Sequence, residues 1–303
     1  MKVRLAAIGS VAAVLLSAGV AGSAGPSPVL ARINLGTDAW VVATGGDGSV
    51  WTDGPKGLVR IDPATDRISV RTRIRGTANA GLGSIWVPSG RTLYRLNPAT
   101  GAVQATIRLP HDAESAAARR GVVWLTSPET KLLMRLDLKT RAIRSTRTCD
   151  AKWHGIWPAA GSIWLACYNE GEVLRVDAAT NRVVARIRVA YGVHGLTAGA
   201  GSVWVNNHAN GQLVRIDTRS NRVVARLRTG TNPAIVFARG RLWESGDKAV
   251  LGIDPATNRV VARLPVGSGE YYGLTYADGS LWLSTIGGQR VLRLDPARAA
   301  AVR

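Results

Sequence analysis

A short block of the form Gly-x-hydrophobic-Trp recurs along this chain and constrains its fold more than any other feature. Its tryptophans stand at intervals of 35, 38, 40, 40, 39 and 39 residues. They are Trp51, Trp86, Trp124, Trp164, Trp204, Trp243 and Trp282. A fixed period of about 40 residues indicates an array of equivalent structural units.

Each unit is predicted to contain four short strands. In one copy the strands are expected at residues 194–198, 201–206, 212–217 and 222–228, joined by Gly-rich and Asp-Pro-Ala-Thr-like turns. Helical periodicity is absent. Four strands in each unit of about 40 residues are typical of a β-propeller blade. The predicted fold class is therefore all-β, a seven-bladed β-propeller with four-stranded blades.

The last unit lacks a convincing fourth strand, because the chain stops at Arg303 soon after Asp295-Pro296. Residues 29–36 (Val-Leu-Ala-Arg-Ile-Asn-Leu-Gly) align with residues 260–267 of the preceding unit. We therefore expect residues 29–35 to form the outer strand of the seventh blade. Such pairing would close the ring and leave no open sheet edge between its ends.

The first residues have the layout of a secretory signal peptide. Lys2 and Arg4 precede an apolar stretch from Leu5 to Val20, followed by small residues with cleavage expected after Ala21 or Ala24. No other segment is long and apolar enough to cross a bilayer. The expected organisation is a signal peptide at residues 1–24 and one propeller domain at residues 25–303. The mature protein is expected to be monomeric and secreted, or retained outside the cytoplasm.

The formal net charge is +19, from 39 Lys+Arg and 20 Asp+Glu. Arginines recur at a fixed position of the third strand, and Arg71, Arg144, Arg186, Arg226 and Arg263 fall on outer strands. Charges on an outermost strand hinder edge-to-edge aggregation, and the surplus also attracts anionic polymers nonspecifically. No recognition element or interleaved stacking aromatics accompany the basic residues, so sequence-specific nucleic-acid binding is not expected.

The blocks at residues 253–263 (Ile-Asp-Pro-Ala-Thr-Asn-Arg-Val-Val-Ala-Arg) and 201–207 (Gly-Ser-Val-Trp-Val-Asn-Asn) resemble the YncE-like, or YVTN, family of secreted propellers. WD40/YVTN-type repeats share this architecture. More distantly, the His-Gly-Leu and Gly-x-Leu-Trp patterns resemble the streptogramin B (virginiamycin B) lyase propellers. The resemblance covers nearly all of residues 29–298 and implies a fold rather than a function.

Variation among the units is concentrated on the face where each chain segment enters the central channel. Counting ten residues back from each repeat tryptophan identifies the residues expected at the channel mouth. Those residues are Gly76, Glu114, His154, His194, Pro233 and Tyr272, with Trp40 or Val41 in the first blade. All four histidines, His111, His154, His194 and His208, are expected on this face.

Three interpretations of these histidines remain open. They are metal ligands or a general base near Glu114, Glu170, Glu244 or Glu270; they are polar residues that line the channel; or they contact a ligand. In the last case their aromatic neighbours would be Trp40, Trp153, Tyr168, Tyr191, Tyr271 and Tyr272. The candidate ligand-binding residues are Glu114, His154, Tyr168, His194, His208, Glu244 and Tyr272.

The resemblance to the lyases implies histidines at the mouth of neighbouring blades, a Glu two residues before one of them, and a magnesium ion. His154-Gly155 and His194-Gly195 match the His-Gly pattern, but Lys152 and Gly192 stand two residues before them. Glu270 has the expected spacing to Tyr272, where the lyase pattern has His. The catalytic candidates are His154, His194, Glu270 and Tyr272, and Mg²⁺ is expected only if the protein is a lyase; otherwise no cofactor or metal is expected.

Cys149 and Cys167 are the two cysteines of the chain. The hairpin turn at residues 159–161 brings their segments to the same end of the fourth blade. Export favours an oxidised pair, and two buried thiols are the alternative. The function that the sequence favours is a noncatalytic platform that binds a small molecule, a peptide or an envelope component. The alternative is a metal-dependent carbon–oxygen lyase of the streptogramin B lyase type.

Overall fold

The structure is a computed structural model that describes residues 26–40, 42–230, 234–246 and 248–302, together with every side chain in these ranges except that of His154. The predicted signal peptide lies outside the described residues, as do Val41 and Pro233. Among the residues described, no helix is long and apolar enough to cross a membrane.

The described strands form seven antiparallel sheets, which confirms the predicted seven-bladed propeller. From the channel outward, blade 1 contains Val42–Thr44, Val50–Thr52, Val59–Asp62 and Arg67–Arg71; blade 2 contains Asn79–Gly81, Ser84–Leu96 and Val103–Ala113; blade 3 contains Ser115–Arg119, Val122–Ser127, Leu132–Asp137 and Ile143–Arg147; blade 4 contains Ala151–Ala159, Ser162–Cys167, Glu172–Asp177 and Val183–Arg188. Blade 5 contains Val193–Gly199, Ser202–Asn207, Gln212–Asp217 and Arg222–Arg228; blade 6 contains Ile235–Ala238, Arg241–Ser245, Ala249–Asp254, Arg259–Pro265 and Ala300–Ala301; blade 7 contains Glu270–Ala277, Ser280–Ile286, Arg290–Leu294 and Val29–Asn34. The segment Ser84–Leu96 provides both middle strands of blade 2. Its second half folds back on its first half, so that the Arg95 guanidinium lies 5.6 Å from the centre of the Trp86 ring.

The repeated turns explain the repeated glycines and aspartates. Between the first two strands of blade 5, Ala200 and Gly201 have φ angles of 49° and 69°, a pair of left-handed residues that suits a tight hairpin. Between the last two strands of blade 4, the Asp177 carboxylate accepts the backbone N–H groups of Ala179 and Thr180. Such local side-chain bonds hold a turn without help from the rest of the fold.

Neighbouring blades are joined by an arginine that covers the repeat tryptophan. In blade 5 the Arg215 guanidinium lies 5.0 Å from the centre of the buried Trp204 ring. It also donates to Ser202 Oγ in its own blade, and to Asn258 Oδ1 and the Pro255 carbonyl in blade 6. Arg60, Arg175 and Arg293 make equivalent bridges to the turn of the following blade. The third-strand arginines of these blades therefore belong to the framework.

The ring closes as the sequence predicts. Val29–Asn34 pairs with Arg290–Leu294 as the outermost strand of blade 7. Ile33 and Leu35 enter an apolar cluster that joins blade 7 to blade 1, one of seven clusters that each lie between neighbouring blades. After the 3-10 turn Pro296–Arg298, Ala300–Ala301 pairs with the outer strand of blade 6 and covers part of its edge.

The predicted disulfide is confirmed. Cys149 and Cys167 are bonded, their Cα atoms lie 5.5 Å apart, and both residues are buried. The bond ties the entry to blade 4 to the end of that blade's second strand, so it stabilises the backbone next to the channel mouth.

Candidate functional site

The inner strands of blades 4, 5 and 7 are irregular at the channel mouth, at the residues singled out from the sequence. Their pairing with the second strand shifts register between Ala151 and Ile156, between Val193 and Leu196, and between Tyr271 and Leu274. These intervals contain His154, His194 and Tyr272. A bulge changes the direction of the side chain that it carries and is common beside functional sites.

Glycine follows each of these three residues, and at Gly155 and Gly273 the backbone passes close to a neighbour. A Cβ on Gly273 would lie 2.8 Å from the Trp40 carbonyl oxygen in blade 1, and one on Gly155 would lie 2.8 Å from the Lys152 carbonyl oxygen. Glycine at positions 155 and 273 is therefore a requirement of the bulged backbone.

Aromatic and imidazole rings from three blades form a connected cluster at the mouth. The ring centres of Trp153 and Tyr168 are 5.3 Å apart, as are those of Tyr168 and Tyr191. His194 lies 5.4 Å from Trp153 and 6.4 Å from both His208 and Tyr272. The mouth cluster, as we name these six residues, brings together four of the candidate ligand-binding residues: His194, His208, Tyr168 and Tyr272.

The mouth cluster has both a solvent side and a buried side. His194 is buried and Tyr272 and Tyr168 are partly buried, whereas 42% of Trp153 and 60% of Tyr191 are exposed. Trp153 and Tyr191 therefore form the solvent side of the mouth cluster, and His194 lies on its buried side.

Glu114 supports the mouth cluster from blade 3. Its Oε1 accepts the backbone N–H of Trp153 at 2.6 Å, and Trp153 has a left-handed φ of 39°. Bulky residues rarely adopt this conformation, and residues that do are concentrated at functional sites. Burial raises the pKa of Glu114, although the Trp153 N–H and the charge of Lys152 oppose that effect.

The hydroxyls of Tyr168 and Tyr272 in the mouth cluster remain protonated at neutral pH. Burial, reinforced by the negative charges of Glu114 and Asp53, raises the pKa of Tyr272. Burial and the neighbouring Tyr191 raise the pKa of Tyr168. The hydroxyls of Tyr168 and Tyr272 can therefore each donate a hydrogen bond or a proton. Glu114 and Asp53 are the carboxyl groups whose charges affect the pKa of Tyr272.

Below the mouth cluster, the channel has a volume of about 350 Å³ and its lining includes His194 and Tyr272. Much of the wall is small and apolar, with Ala78, Ala80 and Ala116–Ala118 among its members. Thr44 and Thr275 add hydroxyl groups, which lie 2.9 Å apart. The volume lies at the small end of the range for ligand pockets.

Three other candidate residues lie apart from the ring contacts of the mouth cluster. Glu244 is buried, 1% exposed, on the side of its strand that carries Leu242 and faces blade 5. Burial raises the pKa of Glu244 to about 8, and its Oε2 has no hydrogen-bond partner among the described residues. Glu270 is exposed at the start of the inner strand of blade 7, and His111 lies on the long outer strand of blade 2.

Tyr271 differs from the sequence expectation of a ligand contact. It is buried, and its hydroxyl donates to the Gly267 carbonyl at 2.9 Å. The alternation of side chains along a strand places Tyr271 and Tyr272 on opposite faces, so only Tyr272 lines the channel.

The sequence analysis named Glu170 as a carboxylate near the histidines but missed its partner, Asp150, beside the mouth cluster. Asp150 and Glu170 are hydrogen-bonded to one another, and Lys131 Nζ lies 2.7 Å from Glu170 Oε1. Burial and the Glu170 carboxylate raise the pKa of Asp150 to about 6. Burial opposes ionisation of Glu170, but the Asp150 and Lys131 hydrogen bonds lower its pKa to about 2. The position of Asp150 next to Cys149 was the one available sequence signal.

A metal centre is not supported by the described side chains. No three His, Cys, Asp or Glu residues among them are close enough to hold an ion together. His154, which the lyase resemblance implies at the mouth, has no described side chain and is not among the residues compared.

The architecture and the mouth define the class: a seven-bladed β-propeller with a ligand-sized channel. No protein-family model and no curated protein matches the chain in sequence. Among solved structures, it is similar to virginiamycin B lyase from Staphylococcus aureus, with 16% identity, a TM-score of 0.72, and coverage of 88% of this chain and 98% of the other. The Cps50 (Swd1) propeller domain of Myceliophteria thermophila has 11% identity, a TM-score of 0.72, and coverage of 88% and 99%. BamB from Moraxella catarrhalis has 16% identity, a TM-score of 0.60, and coverage of 84% of both chains. At these identities the similarity concerns the fold alone.

Proposed function

We propose that this protein is an exported, noncatalytic binding platform whose mouth cluster captures a small molecule or the side chain of a peptide. The mouth cluster is the observation that carries the proposal. Exposed aromatic faces, protonated tyrosine hydroxyls and an apolar channel below them suit a ligand with a flat or apolar group and a polar end.

Export is supported by the N-terminal residue pattern, by the YncE-like sequence blocks and by the Cys149–Cys167 disulfide. Disulfides persist in oxidising compartments and are rare in the cytosol of mesophiles. The prediction of a signal peptide can be tested directly. N-terminal sequencing of the secreted chain should begin at Gly22 or Gly25, and recovery of an uncleaved chain from the cytosol would oppose export.

Ligand-observed NMR with a library of small aromatic compounds tests the binding function. Compounds that bind the intact protein should lose at least tenfold in affinity with Tyr272→Ala, because the substitution opens the mouth cluster between blades 5 and 7. The matched control is Leu82→Ala, which removes an exposed apolar side chain from a hairpin turn at the opposite face. Equal losses in both variants, or compounds bound with equal affinity by the Tyr272→Ala chain, would refute the assignment.

A lyase of the streptogramin B type is the second candidate. It is supported by the propeller similarity, by the His-Gly pairs in consecutive blades and by the protonated Tyr272 beside Glu114. In such a reaction Tyr272 would supply the acid that protonates a leaving oxygen, and a carboxylate or imidazole would remove the proton.

Incubation with cyclic depsipeptides and simpler lactones, followed by mass spectrometry and chromatography, tests this candidate with and without Mg²⁺. A linear elimination product that is lost in the His154→Ala/His194→Ala variant would establish the lyase and refute the noncatalytic proposal. An intact substrate at stoichiometric enzyme concentration would refute the lyase.

A further inference from the structure

The fourth strand from the channel carries arginine in six blades, and in blade 2 the outer strand Val103–Ala113 does. In blade 6 this strand is Arg259–Pro265, and Ala300–Ala301 covers part of its edge. The arginines of these seven strands are Arg32, Arg67, Arg71, Arg108, Arg144, Arg147, Arg186, Arg188, Arg222, Arg226, Arg228, Arg259 and Arg263, and all of them are exposed. The same seven strands contain one acidic residue, Asp112, and no lysine. We call this set the arginine belt.

The charges of the arginine belt face solvent rather than acidic partners. Among the described residues, Arg186 is the one member that forms an ion pair, with Glu172 at 3.4 Å. The third-strand arginines differ, because Arg60 and Arg293 bond both to acidic side chains and to backbone carbonyls of the next blade. Two belt members also make hydrogen bonds: Arg71 donates to the Leu35 carbonyl, and Arg226 donates to Gln212 Oε1 and to the Val189 carbonyl. Because every belt member is exposed, its remaining N–H donors can meet a ligand.

Protection of sheet edges explains part of this pattern. Charged side chains on an outer strand hinder pairing with another chain, but either sign of charge and either basic residue would serve. Arginine is the prevalent basic residue of the whole chain, with 33 arginines against six lysines, so the feature that edge protection leaves unexplained is the single sign of the charge. Arginine presents a planar fork of donors that matches the oxygens of phosphate and sulfate groups in two-bond contacts.

The distribution of the belt indicates the shape of its partner. On the outer strand of blade 5, Arg226 and Arg228 project to the same side, about 7 Å apart at two residues of rise. Arginines continue around the rim from blade to blade. A flat bilayer would touch the outer strands of only one or two blades, whereas a flexible chain can follow the rim.

We propose that the arginine belt is a docking surface for a flexible linear polyanion that carries phosphate or sulfate groups. Binding here is independent of the mouth cluster. The belt would hold the propeller on a charged matrix while the channel mouth remains open to its own ligand.

The test uses the full mature chain and two labelled probes, inorganic polyphosphate and a heparin fragment, followed by fluorescence anisotropy at several salt concentrations. The belt variant is Arg222→Gln/Arg226→Gln/Arg228→Gln. The matched control, Lys56→Gln/Lys139→Gln/Lys248→Gln, removes the same net charge from exposed lysines that lie off the outer strands. Thermal melting establishes whether both variants fold. If the glutamine variant of the belt does not fold, Arg222→Lys/Arg226→Lys/Arg228→Lys replaces it, because this variant keeps the charge and removes only the guanidinium groups.

For the belt variant, the slope of log K against log salt should fall by about two, with affinity about tenfold weaker, because each lost contact contributes roughly 0.7–0.9 to the slope. The lysine control should retain most of the slope. The charge-preserving variant should weaken binding by a few-fold through loss of the guanidinium fork.

Equal losses in the belt and control variants would overturn the proposal, because net charge alone would then explain the binding. Failure of both probes to bind at low salt would also overturn it. Binding to phosphatidylglycerol vesicles without binding to either soluble polymer would identify a membrane as the partner instead. Tyr272→Ala should leave polyanion binding unchanged, so failure at the mouth and failure at the belt are distinguishable.

Discussion

Glu244 offers a sharp prediction because a carboxyl group occupies an interior position. The residue that follows the repeat tryptophan is Val87, Leu125, Leu165, Val205 or Leu283 in five other blades, and all five are fully buried. Glu244 is equally buried, and burial raises its pKa to about 8 from an ordinary value of 4.5. The nearby Thr229 offsets only part of this rise in the pKa of Glu244.

The consequence for stability follows from proton linkage. Between about pH 4.5 and pH 8 the folded chain retains a proton on Glu244 that the unfolded chain has released. As the pH rises through this window, Glu244 alone therefore lowers the free energy of unfolding by about 1.4 kcal/mol for each pH unit. Glu244→Gln removes the ionisable group, so its stability advantage should grow by about 3 kcal/mol between pH 5 and pH 7.

Urea unfolding followed by tryptophan fluorescence measures the difference at each pH. Glu129→Gln is the matched control, because Glu129 is exposed and its substitution should change the free energy of unfolding by less than about 0.5 kcal/mol. Glu244→Leu should be stabilising as well, since leucine fills the equivalent place in blades 3, 4 and 7. Parallel pH profiles for the original chain and Glu244→Gln would refute the reasoning, because Glu244 would then titrate as it does in water.

Three further substitutions or truncations test the framework. Arg215→Ala should lower the free energy of unfolding by about 3 kcal/mol, because charged hydrogen bonds between two blades and a ring contact are lost together. Arg219 is exposed, so Arg219→Ala should change the free energy of unfolding little. Similar effects of the two substitutions would refute the bridge. Replacing Cys149 and Cys167 by serine should cost about 3 kcal/mol for a loop with a sequence separation of 18 residues, and free thiols that react in the untreated protein would contradict the bond. A chain that begins at Gly36 should melt well below one that begins at Gly25, and an unchanged melting temperature would contradict closure by residues 29–35.

The sequence predicted the blades and their strands closely, because the same turn residues recur at the same positions in each repeat. In blade 5 the four expected strands match the observed ones to within about one residue, since Gly turns and Asp turns fix both ends of each strand. Ring closure was equally visible, because residues 29–36 repeat the pattern of an outer strand.

The site was predictable in position and less so in chemistry. A fixed offset from the repeat tryptophan located His194 and Tyr272, but no sequence pattern revealed the bulges that turn them into the channel. Burial is a property of the assembled ring, so the raised pKa of Glu244 and the Asp150–Glu170 pair emerged only with the structure. The arginines, similar in the sequence, separate into framework bridges and a solvent-facing belt once the blades are assembled.

The central claim is that the mouth cluster and the channel below it bind a ligand. Crystals of the mature protein soaked with a library of small aromatic and apolar fragments test it most directly. We expect fragments to gather between Trp153, His194 and Tyr272, with apolar groups directed into the channel. Fragments that bind elsewhere on the propeller and leave this mouth empty across the library would contradict it.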